Sequence, residues 1–157
     1  MSGGGASDQL RVGWIAKAQE LDRGGYFREY TAKQRADVLR RGYVGPVRPD
    51  EGIQIATGLV EAGYYYAEPK IVGELRGQFE IVGSEEIREV LLAVLRETPA
   101  STYEPPHALK DPPGYPFIFP CARLGCALYF KFQITGTAKK RQVVFCSCHV
   151  PIGGVSQ

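Results

Sequence analysis

The chain has 157 residues, of which 44% are hydrophobic and 23% are charged. This length and balance fit one folded domain with a sizeable core, and they exclude a wholly disordered chain. No stretch reaches the roughly 20 apolar residues of a membrane-spanning helix, and residues 1–7 have neither the basic start nor the apolar run of a signal peptide. We therefore expect a cytoplasmic protein that does not bind membranes.

Charge is distributed unevenly along the chain, although the formal net charge is only +2. Residues 1–100 carry 13 basic and 15 acidic side chains, whereas residues 101–157 carry two acidic side chains and six basic ones: Lys110, Arg123, Lys131, Lys139, Lys140 and Arg141. A basic C-terminal part suits contact with phosphates, although a solvated basic loop gives the same count.

The N-terminal part of the chain predicts helices. We expect residues 1–8 to be a disordered tail and residues 9–157 to form a single domain, in which residues 9–82 make a helical accessory part. Apolar residues at helical spacing predict a first helix that runs from a cap at Ser7 or Asp8 to about residue 22.

Two further helices are bounded by recognisable caps. Thr31 and Gln34 have the spacing of a capping box, and Gly42 closes the short helix that they open. The acidic pair Asp50-Glu51 favours the start of a third helix, which Gly63 ends. The tyrosines at 64–66 are then expected to fill a seam between elements, with stacking on nucleic-acid bases as the alternative.

The middle of the chain contains the clearest helix signal. Residues 69–76 predict one or two helical turns, and residues 78–82 predict a short strand. Ser84 is the expected N-cap of a strong helix, because an apolar stripe from Ile87 to Leu95 follows two glutamates. That helix ends before Pro99, and a proline-rich connection follows it.

The last third of the chain has the composition of strands. Residues 115–119, 127–134 and 142–150 are rich in aromatic and β-branched residues, and the last two segments predict an antiparallel hairpin. The sequence therefore predicts an α+β fold in which N-terminal helices pack on a small C-terminal antiparallel sheet.

Alternation along the hairpin separates a buried face from an open one. We expect Leu128, Phe130, Phe132, Val143 and Phe145 to be core, with Phe145 beside Phe130 and Val143 beside Phe132. Uninterrupted alternation places Ser147 on this same face and His149 at the strand end, where a side chain can turn either way. The same alternation places five side chains on the open face: Tyr129, Lys131, Gln133, Cys146 and Cys148.

These side chains supply what metal-independent RNA cleavage requires. The 2′-hydroxyl of RNA is the nucleophile, so the enzyme provides proton transfer and positive charge for the phosphorane. His149 is the natural proton-transfer group, because histidine exchanges protons near neutral pH. Tyr129 is expected to orient the reacting groups or to donate a proton, and Lys131 is expected to stabilise the negative charge of the phosphorane. The expected phosphate contacts are Arg123, Lys139, Lys140 and Arg141.

Three motifs follow one another over residues 83–157. An apolar helix at residues 89–95 with Ser101-Thr102-Tyr103 precedes Ala127-Leu128-Tyr129-Phe130-Lys131-Phe132, and Val143-Val144-Phe145-Cys146-Ser147-Cys148-His149 closes the chain's last strand. In order and spacing they resemble the MqsR family of toxins, within the RelE-like mRNA interferases. That family's signature is an apolar helix, a loop with an aromatic pair, a strand of the type (V/L)Y(I/L/V)K, and a last strand ending in Ser-Phe-Lys or Ser-Phe-His.

The resemblance implies a RelE-like fold and a toxin that cleaves mRNA, free or on the ribosome, without a cofactor. It also implies neutralisation by a cognate antitoxin protein. Tyr129 matches the family's active-site tyrosine, and His149 matches its terminal basic residue. The chain departs from the family at Glu104, where the pattern has lysine, and at Cys148, where it has an aromatic residue.

Two alternatives use the same residues differently. Cys121, Cys126, Cys146 and Cys148 flank one end of the hairpin, so four thiolates could hold a structural zinc ion there, although their spacing is not a standard ligand pattern. The second alternative is a non-enzymatic protein-binding module, such as a phage-encoded inhibitor or a degenerate toxin that keeps the fold to engage a partner.

Overall fold

The structure is a computed structural model, and it describes residues 4–137 and 139–151. Five helices and four strands lie in the described ranges, so the predicted α+β class is confirmed. In chain order the elements are α1 (Gly4–Arg23), α2 (Ala32–Arg41), α3 (Pro49–Ala62), β1 (Tyr65–Ala67), α4 (Pro69–Phe79), α5 (Ser84–Glu97), a 3₁₀ turn (Ala100–Thr102), β2 (Tyr115–Cys121), β3 (Cys126–Thr135) and β4 (Gln142–His149).

The first helices follow their predicted caps. The capping box of α2 is confirmed, because the Gln34 N–H donates to Thr31 Oγ1 at 3.1 Å and the Thr31 N–H donates to Gln34 Oε1 at 2.9 Å. Gly42 and Gly63 end α2 and α3 in the left-handed conformation. α1 begins at Gly4, so residues 4–8 of the expected disordered tail are helical, and residues 1–3 of it lie outside the described residues.

Residues 64–84 differ from the prediction in three ways. Residues 65–67 form β1, a strand that the sequence analysis missed. The helix α4 extends to Phe79, and its C-cap Glu80 is left-handed, so the predicted strand over 78–82 is wrong. The N-cap of α5 is Gly83, so Ser84 is the first helical residue rather than the predicted cap.

The four strands form one sheet in the order β1-β4-β3-β2. β2, β3 and β4 pair antiparallel as predicted, but β1 pairs parallel to β4, with Tyr65 opposite Val143. The sheet is therefore mixed rather than wholly antiparallel. β1 lies between α3 and α4 in the chain, so the helical part contributes residues 65–67 to the sheet as an edge strand.

The β3–β4 hairpin contains a bulge that changes its register. Phe132 lies opposite Phe145, whereas Lys131 lies opposite Ser147, so β4 has one extra residue between these two pairs. The predicted register is wrong, because Phe130 lies opposite Cys148 and Val143 lies opposite Ile134. The Phe130 and Phe145 rings nevertheless stack, with centroids 5.9 Å apart, so these two side chains are neighbours as predicted. The extra residue reverses the alternation after Phe145. Cys148 consequently lies in the core, and Ser147 joins Lys131 on the open face.

The core lies on one face of the sheet, against the helices. The five predicted core residues of the hairpin are all fully buried, which confirms that part of the prediction. They join the apolar stripe of α5 and the buried residues of α3 and α4 in one cluster. α1 is held to the segment after α5 by the Trp14 indole, which donates to the Ala100 carbonyl at 2.9 Å.

None of the helices in the described ranges is long and apolar enough to cross a membrane.

Candidate active site on the open face of the sheet

Helix α4 covers the outer edge of β4 beyond the end of β1. Pro69 starts this helix, and the buried Ile71 and Leu75, four residues apart, fix it to the core. β1 pairs with β4 only as far as Phe145, so the later N–H groups on that edge need other partners. Glu74 Oε1 accepts from the Cys148 N–H and Gln78 Oε1 accepts from the Val150 N–H, each at 2.9 Å.

A cleft of about 370 Å³ opens between α4 and the free face of the sheet. The strands contribute Tyr129, Lys131, Ser147 and His149, and α4 contributes Lys70, Glu74 and Gln78. The cleft therefore brings together the three residues that the sequence predicts to be catalytic, Tyr129, Lys131 and His149. The bulge is the cause, because it places His149 directly opposite Tyr129 and on the same face.

His149 is held between Tyr129 and Glu74. Its ring stacks on the Tyr129 ring, with centroids 5.3 Å apart and planes 25° apart. Nδ1 lies 2.9 Å from the Val150 carbonyl, which only accepts, so Nδ1 carries a proton there. Nε2 is left to face the Glu74 carboxylate at 3.9 Å. The proton that enters or leaves this ring does so at Nε2, on the cleft side.

Tyr129 and Lys131 are partly withdrawn from water. Burial, with the Glu104 carboxylate nearby, raises the pKa of Tyr129 to about 12, so its hydroxyl stays protonated and donates at neutral pH. Burial lowers the pKa of Lys131, and the neighbouring Lys110 and Lys70 add to that effect. An anion in the cleft would relieve the repulsion among these ammonium groups.

Lys70 and Ser147 link the helix to the strand across the cleft. The Lys70 ammonium donates to Ser147 Oγ at 3.0 Å and lies 3.5 Å from Glu74 Oε2. Most of the Lys70 side chain is exposed, so its remaining N–H group is accessible to a ligand. Lys70 and Lys131 thus place two cationic side chains in the lining of one cleft, together with the Ser147 hydroxyl.

The proline-rich segment after the 3₁₀ turn packs on the sheet beside the cleft. Tyr26 donates to the Pro105 carbonyl at 2.7 Å, and Gln133 donates to the Pro112 carbonyl at 2.6 Å. Gly114 allows close approach, because a Cβ there would lie 3.0 Å from Lys131 Cδ. Between this segment and the sheet lies a cavity of about 150 Å³ that shares Lys70, Lys131 and Ser147 with the cleft.

The predicted phosphate-binding residues do not join the cleft. Lys139, Lys140 and Arg141 lie in the β3–β4 turn, which is six residue pairs from the Tyr129–His149 pair, or about 20 Å at the rise of a strand. The structure therefore separates these three residues from His149, and their assignment as phosphate contacts stays a prediction. Arg123 is exposed in the β2–β3 turn, near the end of the sheet where β4 finishes, and its backbone N–H donates to Glu97.

The four cysteines are free and are not arranged as a zinc site. The bulge separates them, because Cys146 lies on the open face against Gln133 whereas Cys148 is buried in the core. Burial raises the pKa of Cys146 to about 11 and raises that of Cys121, so neither thiol is a ready metal ligand. Within the described ranges, no group of three or more His, Cys, Asp or Glu side chains is placed to hold a metal ion.

Sequence reasoning missed the part of the site that α4 and the bulge supply. Lys70, Glu74 and Gln78 lie at i, i+4 and i+8 on one face of α4, a spacing that was visible once the helix was extended past residue 76. Ser147 was assigned to the core face. A polar side chain at a core position of an otherwise apolar strand was the signal that the alternation breaks.

No family model matches the chain, and no significant similarity to a curated protein or to a solved structure was found. The MqsR-like assignment remains a prediction from the sequence motifs.

Proposed function

We propose that the chain is a metal-independent endoribonuclease that cleaves mRNA in the cleft between α4 and the sheet, and that it acts as the toxin of a toxin–antitoxin pair. One observation carries the proposal: the bulge in β4 sets His149 against Tyr129 and beside Lys131. A proton-transfer group, a neutral hydroxyl donor and an ammonium group then meet in one cleft, which suits attack by a 2′-hydroxyl.

The chemistry follows from what each group can do. The 2′-oxygen of the RNA attacks the adjacent phosphorus while its proton passes to a base, and the P–O5′ bond breaks as the 5′-oxygen receives a proton. His149 Nε2 transfers protons, while the Val150 carbonyl accepts a hydrogen bond from Nδ1 and holds the imidazole in place. Tyr129 donates to a phosphate oxygen, and Lys131 and Lys70 stabilise the phosphorane. The products are a 2′,3′-cyclic phosphate and a 5′-hydroxyl.

The RNA partner follows from this activity, and the antitoxin partner is what the resemblance to the MqsR-like toxins implies. The substrate is single-stranded mRNA in the cytoplasm, and an antitoxin protein encoded beside the toxin would neutralise it. The motif resemblance supports this part of the proposal, together with the basic balance of residues 101–157.

The test compares three cleft variants in an RNA cleavage assay that contains EDTA. We expect His149→Gln to lower kcat about 10²- to 10⁴-fold, the usual contribution of proton transfer, with smaller losses for Tyr129→Phe and Lys131→Met. The chain's other histidine gives a matched control: His107 is exposed in the proline-rich segment, outside the cleft, so His107→Gln should cleave as the wild type does.

Toxicity on expression is measured with the same variants. Loss of both cleavage and toxicity in folded His149→Gln would support the proposal. Unchanged cleavage and toxicity in both His149→Gln and Tyr129→Phe would refute the cleft as the active site. Toxicity without RNA cleavage by the wild type would favour the protein-binding module instead.

A further inference from the structure

A second large concavity lies at the opposite end of the hairpin from the cleft. It has a volume of about 770 Å³ and is bounded on one side by helix α3 and on the other by the β3–β4 turn. We refer to it as the α3 groove; its lining includes Gly58, Tyr64, Lys139, Lys140 and Arg141. Gly58 is exposed, and a Cβ there would contact nothing, so the groove stays open along the helix.

The charge of the α3 groove is of one sign. Three of its lining side chains are cationic, the consecutive Lys139, Lys140 and Arg141, and none is a carboxylate. The two lysines are exposed. A concave surface with three cations and no lining carboxylate attracts a polyanion.

Tyr64 gives the groove an aromatic surface. Its backbone is fixed on both sides, because its N–H donates to Leu59 O at 2.8 Å and its carbonyl accepts from the Val143 N–H at 3.2 Å. Its side chain nevertheless remains 61% exposed. A tyrosine that is anchored through its backbone and exposed through its ring is suited to stack on a nucleobase at little cost in conformational entropy.

From these features we infer that the α3 groove is a second binding site for single-stranded RNA, distinct from the cleft that holds His149. The phosphates lie along Lys139, Lys140 and Arg141, and a base stacks on Tyr64. The inference rests on the proposed function in taking RNA as the ligand. The groove gives affinity without sequence selection, because the contacts are to charge and to the face of a base.

Binding is measured with an RNA that cannot be cleaved. The probe is a fluorescent 2′-O-methyl RNA of about 12 nucleotides, a length typical of single-strand binding sites, titrated by fluorescence anisotropy at several salt concentrations. We expect the triple variant Lys139→Gln, Lys140→Gln, Arg141→Gln to reduce the slope of log affinity against log salt by about 2. Tyr64→Ala should weaken binding about 5- to 150-fold, whereas Tyr64→Phe should bind as the wild type does.

A second triple variant controls for net charge. Arg23, Arg28 and Lys33 are exposed and lie outside the groove, so replacing all three by glutamine removes the same charge. This variant should keep the wild-type salt slope. An equal fall in slope for both triple variants would overturn the inference, because general attraction would then explain binding. Unchanged RNA binding by the groove variants would also overturn the inference and would favour a protein segment as the occupant of the groove.

Cleavage and binding separate the two proposals. A wild type that does not cleave RNA but binds the probe through Tyr64 and the three cations refutes the nuclease and supports the groove. A wild type that cleaves, with groove variants that bind normally, refutes the groove and supports the nuclease. No binding of the probe by the wild type overturns the groove inference whatever the cleavage result.

Discussion

Replacement of Glu74 by alanine and by glutamine separates the two tasks that this side chain performs. Glu74 Oε1 accepts a hydrogen bond from the N–H of Cys148, a fully buried residue, while Oε2 faces His149 and Lys70. Glu74→Ala removes the acceptor and leaves a buried donor unsatisfied. Glu74→Gln keeps an amide oxygen for the N–H and removes only the negative charge.

The stability cost follows from the hydrogen bond. An unsatisfied buried N–H costs about 1–3 kcal/mol, while the ion pair with the largely exposed Lys70 contributes about 0–1 kcal/mol. Together these losses come to about 1–4 kcal/mol, and at about 2–4 °C per kcal/mol for a domain of this size, Glu74→Ala should lower Tm by about 2–16 °C. Glu74→Gln should cost less than about 1 kcal/mol, because it loses only the charge assistance of one hydrogen bond and the exposed pair.

Thermal and urea unfolding followed by circular dichroism give the two free energies of unfolding. Hydrogen exchange at the Cys148 amide reports the bond itself, and it should be faster in Glu74→Ala than in Glu74→Gln. Equal destabilisation and equal exchange in the two variants would refute the reasoning, since the retained amide oxygen would then have no effect. RNA cleavage should fall in both variants, because both remove the charge that faces His149.

Three further outcomes are expected. Burial lowers the pKa of Lys131 below its usual 10.5, so between the folded and unfolded pKa values the unfolded chain binds more protons and the stability of the wild type rises with pH. Lys131→Met should therefore raise the free energy of unfolding most at neutral pH. In urea titrations this advantage over the wild type should shrink as the pH approaches 10.5. Iodoacetamide should modify the partly exposed Cys126 before Cys146, whose pKa burial raises to about 11, and mass spectrometry of the native protein would contradict this if Cys146 reacted first. Gly42→Ala should destabilise the chain strongly, because φ is +87° and the new Cβ would lie 2.7 Å from Trp14 Cβ, and an unchanged Tm would oppose this.

Local rules predicted the hairpin core and the α2 cap well. Leu128, Phe130 and Phe132 are buried because period-two alternation and burial on one face agree over that strand. The capping box at Thr31 depends on four neighbouring residues and on nothing distant, which is why its spacing alone was sufficient.

The open face was harder to predict from the sequence, because its composition depends on contacts between distant segments. β1 is three residues long and exists because Tyr65 to Ala67 pair with β4, almost 80 residues later in the chain. The glycines Gly73 and Gly77 lower the helix propensity of α4, and burial of Ile71 and Leu75 overrides them. The bulge after Phe145 adds one residue to β4, and uninterrupted alternation therefore assigned Ser147 and Cys148 to the wrong faces.

The chemical form of the cut RNA ends tests the cleft mechanism most directly. Mass spectrometry of a short single-stranded RNA incubated with the protein and EDTA should find 2′,3′-cyclic phosphate and 5′-hydroxyl ends, and His149→Gln should produce neither. Products with 3′-hydroxyl and 5′-phosphate ends, or cutting that EDTA abolishes, would contradict 2′-hydroxyl attack assisted by His149, Tyr129 and Lys131.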